Sequence, residues 1–105
     1  MKTYALQSIN NIRFNYLYRD YSNYKNYGSV VLDNPNNIDL EDIEKLIRNK
    51  LIDGEYFDAY KSGVPKLFFE IKTSDDHELH EFQSLELTND LDISMTIEDF
   101  LERLV

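Results

Sequence analysis

Apolar and polar residues alternate in "IRFNYLYRD" (12–20): Ile12, Phe14, Tyr16 and Tyr18 fall on one side, and Arg13, Asn15 and Arg19 on the other. A period of two in β-favouring residues predicts a strand with one buried face. A second strand is expected over "YGSVVLDN" (27–34), ended by Asn34-Pro35. The turn-rich "YSNYKN" (21–26) joins the two as a hairpin with a loop longer than two residues. In "NNIDLEDIEKLIRNKLIDG" (36–54) the period changes, and Leu40, Ile43, Leu46, Ile47 and Leu51 form the apolar stripe of a helix. Glu41, Asp42 and Glu44 sit in its opening turns and Arg48 and Lys50 near its end, which suits the helix dipole. Asn37 or Asp39 is the expected cap, and Gly54 the expected left-handed stop.

Alternation returns in "KLFFEIK" (66–72) and "HEFQSLELT" (80–88), which are expected to pair with each other. The stretch between, "EYFDAYKSGVP" (55–65), fits either a short helix or an irregular crossing closed by Gly63 and Pro65. "NDLDIS" (89–94) reads as a loop. In "TIEDFLERLV" (96–105), Ile97, Phe100, Leu101 and Leu104 follow helical spacing, and Thr96 with Asp99 resembles a capping box. The fold class expected is α+β: a small antiparallel sheet of about four strands with two main helices packed on one face, in β-β-α-x-β-β-α order. The pattern puts Phe14, Tyr16, Leu67, Phe69 and Ile71 of the sheet against Ile43, Leu46, Ile47, Phe100 and Leu101 of the helices.

The chain of 105 residues is long enough for one domain, 1–105, and too short for two. Its 8 tyrosines and 6 phenylalanines supply bulky core and interface surface. It contains no cysteine, which excludes disulfides, thiolate zinc sites and cysteine nucleophiles. The opening "MKTYALQSIN" has no apolar stretch of signal-peptide length, and no run approaches the roughly 18 apolar residues of a membrane span, so a cytoplasmic protein with no membrane contact is expected. Net charge is −9, which disfavours duplex nucleic acid as a direct partner. The charge is uneven: residues 1–32 carry 4 basic and 1 acidic side chain, and residues 33–105 carry 7 basic and 19 acidic. One mildly basic, tyrosine-rich surface and one strongly acidic surface are expected.

Four stretches, "YRDYSNYKNYG" (18–28), "LIDGEYF" (51–57), "GVPKLFF" (63–69) and "DDHELHEF" (75–82), carry a further signal. Together they resemble a family of small bacterial proteins with the pattern Y-R-D-x-x-N-Y-K-x-x-G, D-G-E-[YF]-F, G-x-P-x-L-F and D-D-H-x-x-H-E-F. The resemblance spans about residues 12–85. It implies one small domain, and that Arg19, Asp20, Asn23, Tyr24, Lys25, Asp53, Glu55, Asp76, His77, His80 and Glu81 form one motif set. It implies no activity.

Candidate chemistry falls in three places. His77 and His80, with Asp76 or Glu81, carry donors that suit a metal ion. Their spacing is not that of H-E-x-x-H, and on a strand the two rings point to opposite faces. A polar turn with Asp75 and Asp76 at its tip, leading into a strand with Phe82 inward and Glu81 outward, is the simpler expectation. Asp53 or Asp58 with Glu70 and Lys72 matches a weak metal-dependent nuclease pattern, and equally a strand with a charged solvent face. Arg19, Tyr21, Tyr24 and Lys25 of the hairpin are the candidate partner-binding residues, since tyrosine and arginine favour contact hot spots. The same tyrosines also suit stacking on single-stranded bases, and the ordinary alternative is that they cover the hairpin itself. The acidic remainder has the composition of phage-encoded inhibitors that imitate nucleic-acid phosphate, and also of a plain solvated surface. The function expected is therefore a small acidic non-enzymatic interaction protein, bound to another protein or to itself, with no cofactor. A metal-binding protein or metal-dependent enzyme centred on Asp76, His77, His80 and Glu81 is the alternative.

Overall fold

The computed structural model describes residues 10–69 and 77–104. The elements are β1 (Asn11–Arg19), β2 (Lys25–Asp33), α1 (Leu40–Lys50), β3 (Tyr56–Asp58), α2 (Ala59–Ser62), β4 (Leu79–Thr88), β5 (Met95–Thr96) and α3 (Ile97–Arg103). They build one mixed sheet in the order β3-β4-β1-β2-β5. All neighbours are antiparallel except β2 and β5, which pair in parallel at Leu32–Met95 and Asp33–Thr96. The class is α+β. Among the described residues no helix is long and apolar enough to cross a membrane.

The alternation of β1 decides the layering. Ile12, Phe14 and Tyr16 are fully buried in one cluster with Val30 and Leu32 of β2, Ile43 and Ile47 of α1, and Ile97 and Phe100 of α3. Both longer helices therefore cover the same face of the sheet. Full burial of such side chains stabilises by about 1.5–3 kcal/mol each. The Phe14 ring is the hub: it lies 4.8 Å from Phe100, 5.2 Å from Phe82 and 5.5 Å from Phe57. In β4 the register slips by one residue, because Asn15 pairs with Ser84 and Tyr16 with Phe82. Gln83 is the bulged residue, and the bulge lets both Phe82 and Leu85 face the core side.

The expected sheet of about four antiparallel strands with two helices is instead five strands, one pair of them parallel, with three helices, and three further expectations need correction. Residues 66–69 do not form a strand beside β4, whose neighbours are β1 and β3; the expected remainder, 70–72 with Ile71, lies outside the described residues. The reason is that side chains satisfy this backbone. The Tyr16 hydroxyl donates to the Pro65 carbonyl at 2.6 Å, Asn26 Nδ2 to the Leu67 carbonyl at 3.0 Å, and the Leu67 N–H donates to His80 Nε2 at 2.9 Å. Ambiguous 55–65 supplies the missing strand partner as β3, then the single turn α2, capped by Asp58 and ended by Gly63 at φ +82°. The helix expected over 36–54 is shorter at both ends. Asn34 ties down the approach with two 3.0 Å bonds to the Ile38 backbone, and Asp39 sits at the cap position without a side-chain bond. Leu51 is already extended, so Gly54 at φ +72° serves the following turn rather than the helix end. Of the ten residues expected in the core, Leu46 is 42% exposed, and Leu67, Phe69 and Leu101 are half-buried.

Candidate functional site

The hairpin tip is set by short polar side chains. Asp20 N–H donates to the Tyr24 carbonyl at 3.0 Å and Asn23 N–H to the Asp20 carbonyl at 2.9 Å. The Asp20 carboxylate accepts the Tyr24 N–H at 2.9 Å. Asn23 takes φ +71°, a left-handed conformation that asparagine tolerates. Arg19 locks this turn to the sheet: Nε and Nη2 donate to Glu81 at 2.8 and 3.2 Å, and Nη1 donates to Asn23 Oδ1 at 2.6 Å. The Glu81 hydrogen bond is the main cause that raises the Arg19 pKa further above its already high value. Of the four hairpin candidates, Arg19 is thus a brace for the turn.

Beyond that brace the tip is open. Tyr21 is 74% exposed, Tyr24 70% and Tyr27 57%, with Lys25 exposed between them. The backbone beside them is open too. The Val31 carbonyl accepts the Ser94 N–H on the side of β2 away from β1. Backbone groups of alternate residues point to the same side of a strand. The N–H and C=O groups of Lys25, Tyr27 and Ser29 therefore face outward as well. Since β5 pairs with β2 only at Leu32 and Asp33, no strand among the described residues covers this stretch. Sequence reasoning found Tyr21, Tyr24 and Lys25 but not the open edge, because strand order was not legible.

The histidine stretch is divided. His80 is fully buried on β4, with its ring 5.1 Å from Tyr18 and 5.2 Å from Phe68. Its Nε2 accepts the Leu67 N–H, which puts the ring hydrogen on Nδ1. Among the described residues Nδ1 has no partner that meets hydrogen-bonding geometry, the Glu78 backbone being the ring's largest polar influence. Burial lowers the His80 pKa, and the backbone of Glu78 opposes this. His77 is exposed, and its Nδ1 accepts the Leu79 N–H at 3.1 Å. Glu81, on the other sheet face, belongs to Arg19. These three candidate ligands have three separate partners, and Asp76 lies outside the described residues. Among the described residues no group of three or more His, Asp or Glu side chains is arranged to hold a metal ion.

Asp58 caps α2 by accepting the Lys61 N–H at 3.2 Å, and Asp53 takes φ +54° in the turn before β3. Glu70 and Lys72 lie outside the described residues. The Glu55 carbonyl accepts the Phe82 N–H at 2.8 Å, so this turn and the Arg19–Glu81 pair adjoin on β4. Comparison of the chain with protein-family models, curated proteins and solved structures finds no match.

Proposed function

We propose that this chain is a non-enzymatic interaction protein that binds another protein through the β1–β2 hairpin. The observation that carries the reading is the coincidence of three exposed tyrosines with an open strand edge. Tyr21, Tyr24 and Tyr27 offer large rings with few rotatable bonds, which bind at low entropic cost. The outward backbone groups of Lys25, Tyr27 and Ser29 would pair with an extended segment of the partner, and such main-chain pairing gives affinity while flanking side chains give specificity. An edge left this way is otherwise a liability for aggregation. A different protein fits better than a second copy, because two chains of net charge −9 repel. The hairpin is favoured over the acidic surface as the contact, because apolar rings held in water gain most on burial.

The test uses the immobilised chain to capture proteins from lysate of its native cells. Three forms are compared: the natural chain, a Tyr21→Ser/Tyr24→Ser/Tyr27→Ser variant, and a Glu41→Gln/Glu44→Gln variant of the acidic surface. The reading expects one protein enriched by the first and third forms and lost with the second, at both low and high salt. Capture that survives the tyrosine changes and fails with the glutamate changes or with salt supports a phosphate-like acidic contact in its place.

A further inference from the structure

Acidic side chains outnumber basic ones by 20 to 11, so cations here have a surplus of available partners. Arg13, Arg19 and Arg48 all take one. Arg103 forms no ion pair among the described residues, and neither do Lys50 and Lys61. These three cations line one cavity of about 170 Å³, and Asp58 is the one carboxylate among its described lining residues. Asp58 already accepts the Lys61 N–H.

The fold explains the convergence. Lys50 ends α1, Lys61 lies in the last turn of α2 and Arg103 ends α3. Helix C-termini attract cations, and α1 and α3 offset about half a charge each. With Asp58 counted, the described lining residues leave about one positive charge over. Arg103 lies against Gly63, with Nη1 3.0 Å from where a Cβ on that glycine would stand, and Gly63 itself takes φ +82°. The cavity floor is apolar, formed by the buried Phe57 and Leu104, and Ile52 at its rim is 51% exposed.

We propose that this cavity binds a small organic anion, a carboxylate or phosphate group on a short apolar or aromatic body. The head group lies among Lys50, Lys61 and Arg103, and the body rests on Phe57, Leu104 and Ile52. The site is independent of the hairpin. Titration of the ¹⁵N-labelled full chain with benzoate, phenyl phosphate and benzyl alcohol tests it. Both or either anion should shift the amides of Ile52, Tyr56, Lys61 and Arg103 at millimolar concentration; the tighter of the two identifies the head group. Lys61→Gln with Arg103→Gln should weaken anion binding by roughly tenfold, as the loss of two exposed charge contacts predicts. If that variant misfolds, raised salt on the natural chain provides the same test, because it should weaken the anions and leave the alcohol unchanged. No shift by either anion, equal binding of benzyl alcohol, or affinity indifferent to both charge removal and salt would overturn the proposal.

Discussion

Arg19 on β1 and Glu81 on β4 face each other through two nitrogen–oxygen contacts of 2.8 and 3.2 Å, while the third arm of the same guanidinium holds Asn23 in the turn. One side chain thereby fixes the hairpin tip to the middle of the sheet. Lysine presents a point charge without the planar fork and cannot make all three contacts. Arg19→Lys should leave the fold intact but speed hydrogen exchange at the Asn23 and Tyr24 amides, with little change at Phe14 or Val30. Unchanged exchange at the tip would show that Asp20 alone holds the turn.

His80 gives the chain an acid-sensitive point. Its folded pKa is lowered, mainly by burial, and protonation at Nε2 would oppose the Leu67 N–H. An unfolded histidine titrates near 6.5, so as pH falls below about that value the unfolded chain takes up the proton first. Stability is full above this range and is lost as pH falls through the lowered folded value. His80→Leu should remove the acid dependence between about pH 7 and 5.5, and cost about 1–3 kcal/mol at neutral pH by orphaning the Leu67 N–H. Chemical denaturation across that range checks both signs.

Tyr16 gives the opposite edge of the pH range. Burial raises its pKa from 10.0 to about 12, and its hydroxyl donates to Pro65. A raised folded value means stability present below pH 10 and lost as pH rises toward 12. The loss should approach about 3 kcal/mol. Tyr16→Phe should flatten this alkaline slope in urea titrations; a variant with the same slope would place its cause elsewhere.

Phe100 joins α3 to the Phe14 hub at 4.8 Å and is fully buried. Phe100→Ala should destabilise by about 3–5 kcal/mol. Urea unfolding that finds less than about 1 kcal/mol would contradict the packing of α3 on the sheet.

Local patterns were legible where one residue's chemistry suffices. The alternation of Ile12, Phe14 and Tyr16 gave β1 its buried face, and Thr96 was readable as a cap because its hydroxyl accepts the Asp99 N–H at 3.1 Å. Phe82 inward and Glu81 outward also followed from period two. Tertiary choices were not legible. "KLFFEIK" reads as a strand, yet at Leu67 a histidine and an asparagine from other elements take the backbone groups that a ladder would use. His80 accepts from a backbone N–H thirteen residues away in sequence, a partner that no local pattern indicates. The basic cavity is not legible in the sequence because Lys50, Lys61 and Arg103 are distant along the chain and meet only when three helix ends converge. The hairpin residues were found by composition, and the open edge beside them required the strand order.

The hairpin reading is tested most directly by amide-resolved hydrogen exchange of the chain with and without its captured partner. Among the described residues no strand accepts from the outward-facing Lys25, Tyr27 and Ser29 amides, whereas Asn26, Gly28 and Val30 already pair with β1. Binding should slow exchange at the first three and leave the second three nearly unchanged, an alternation of period two confined to β2. Protection that instead falls on α1, or that rises evenly along β2, would contradict docking at this edge.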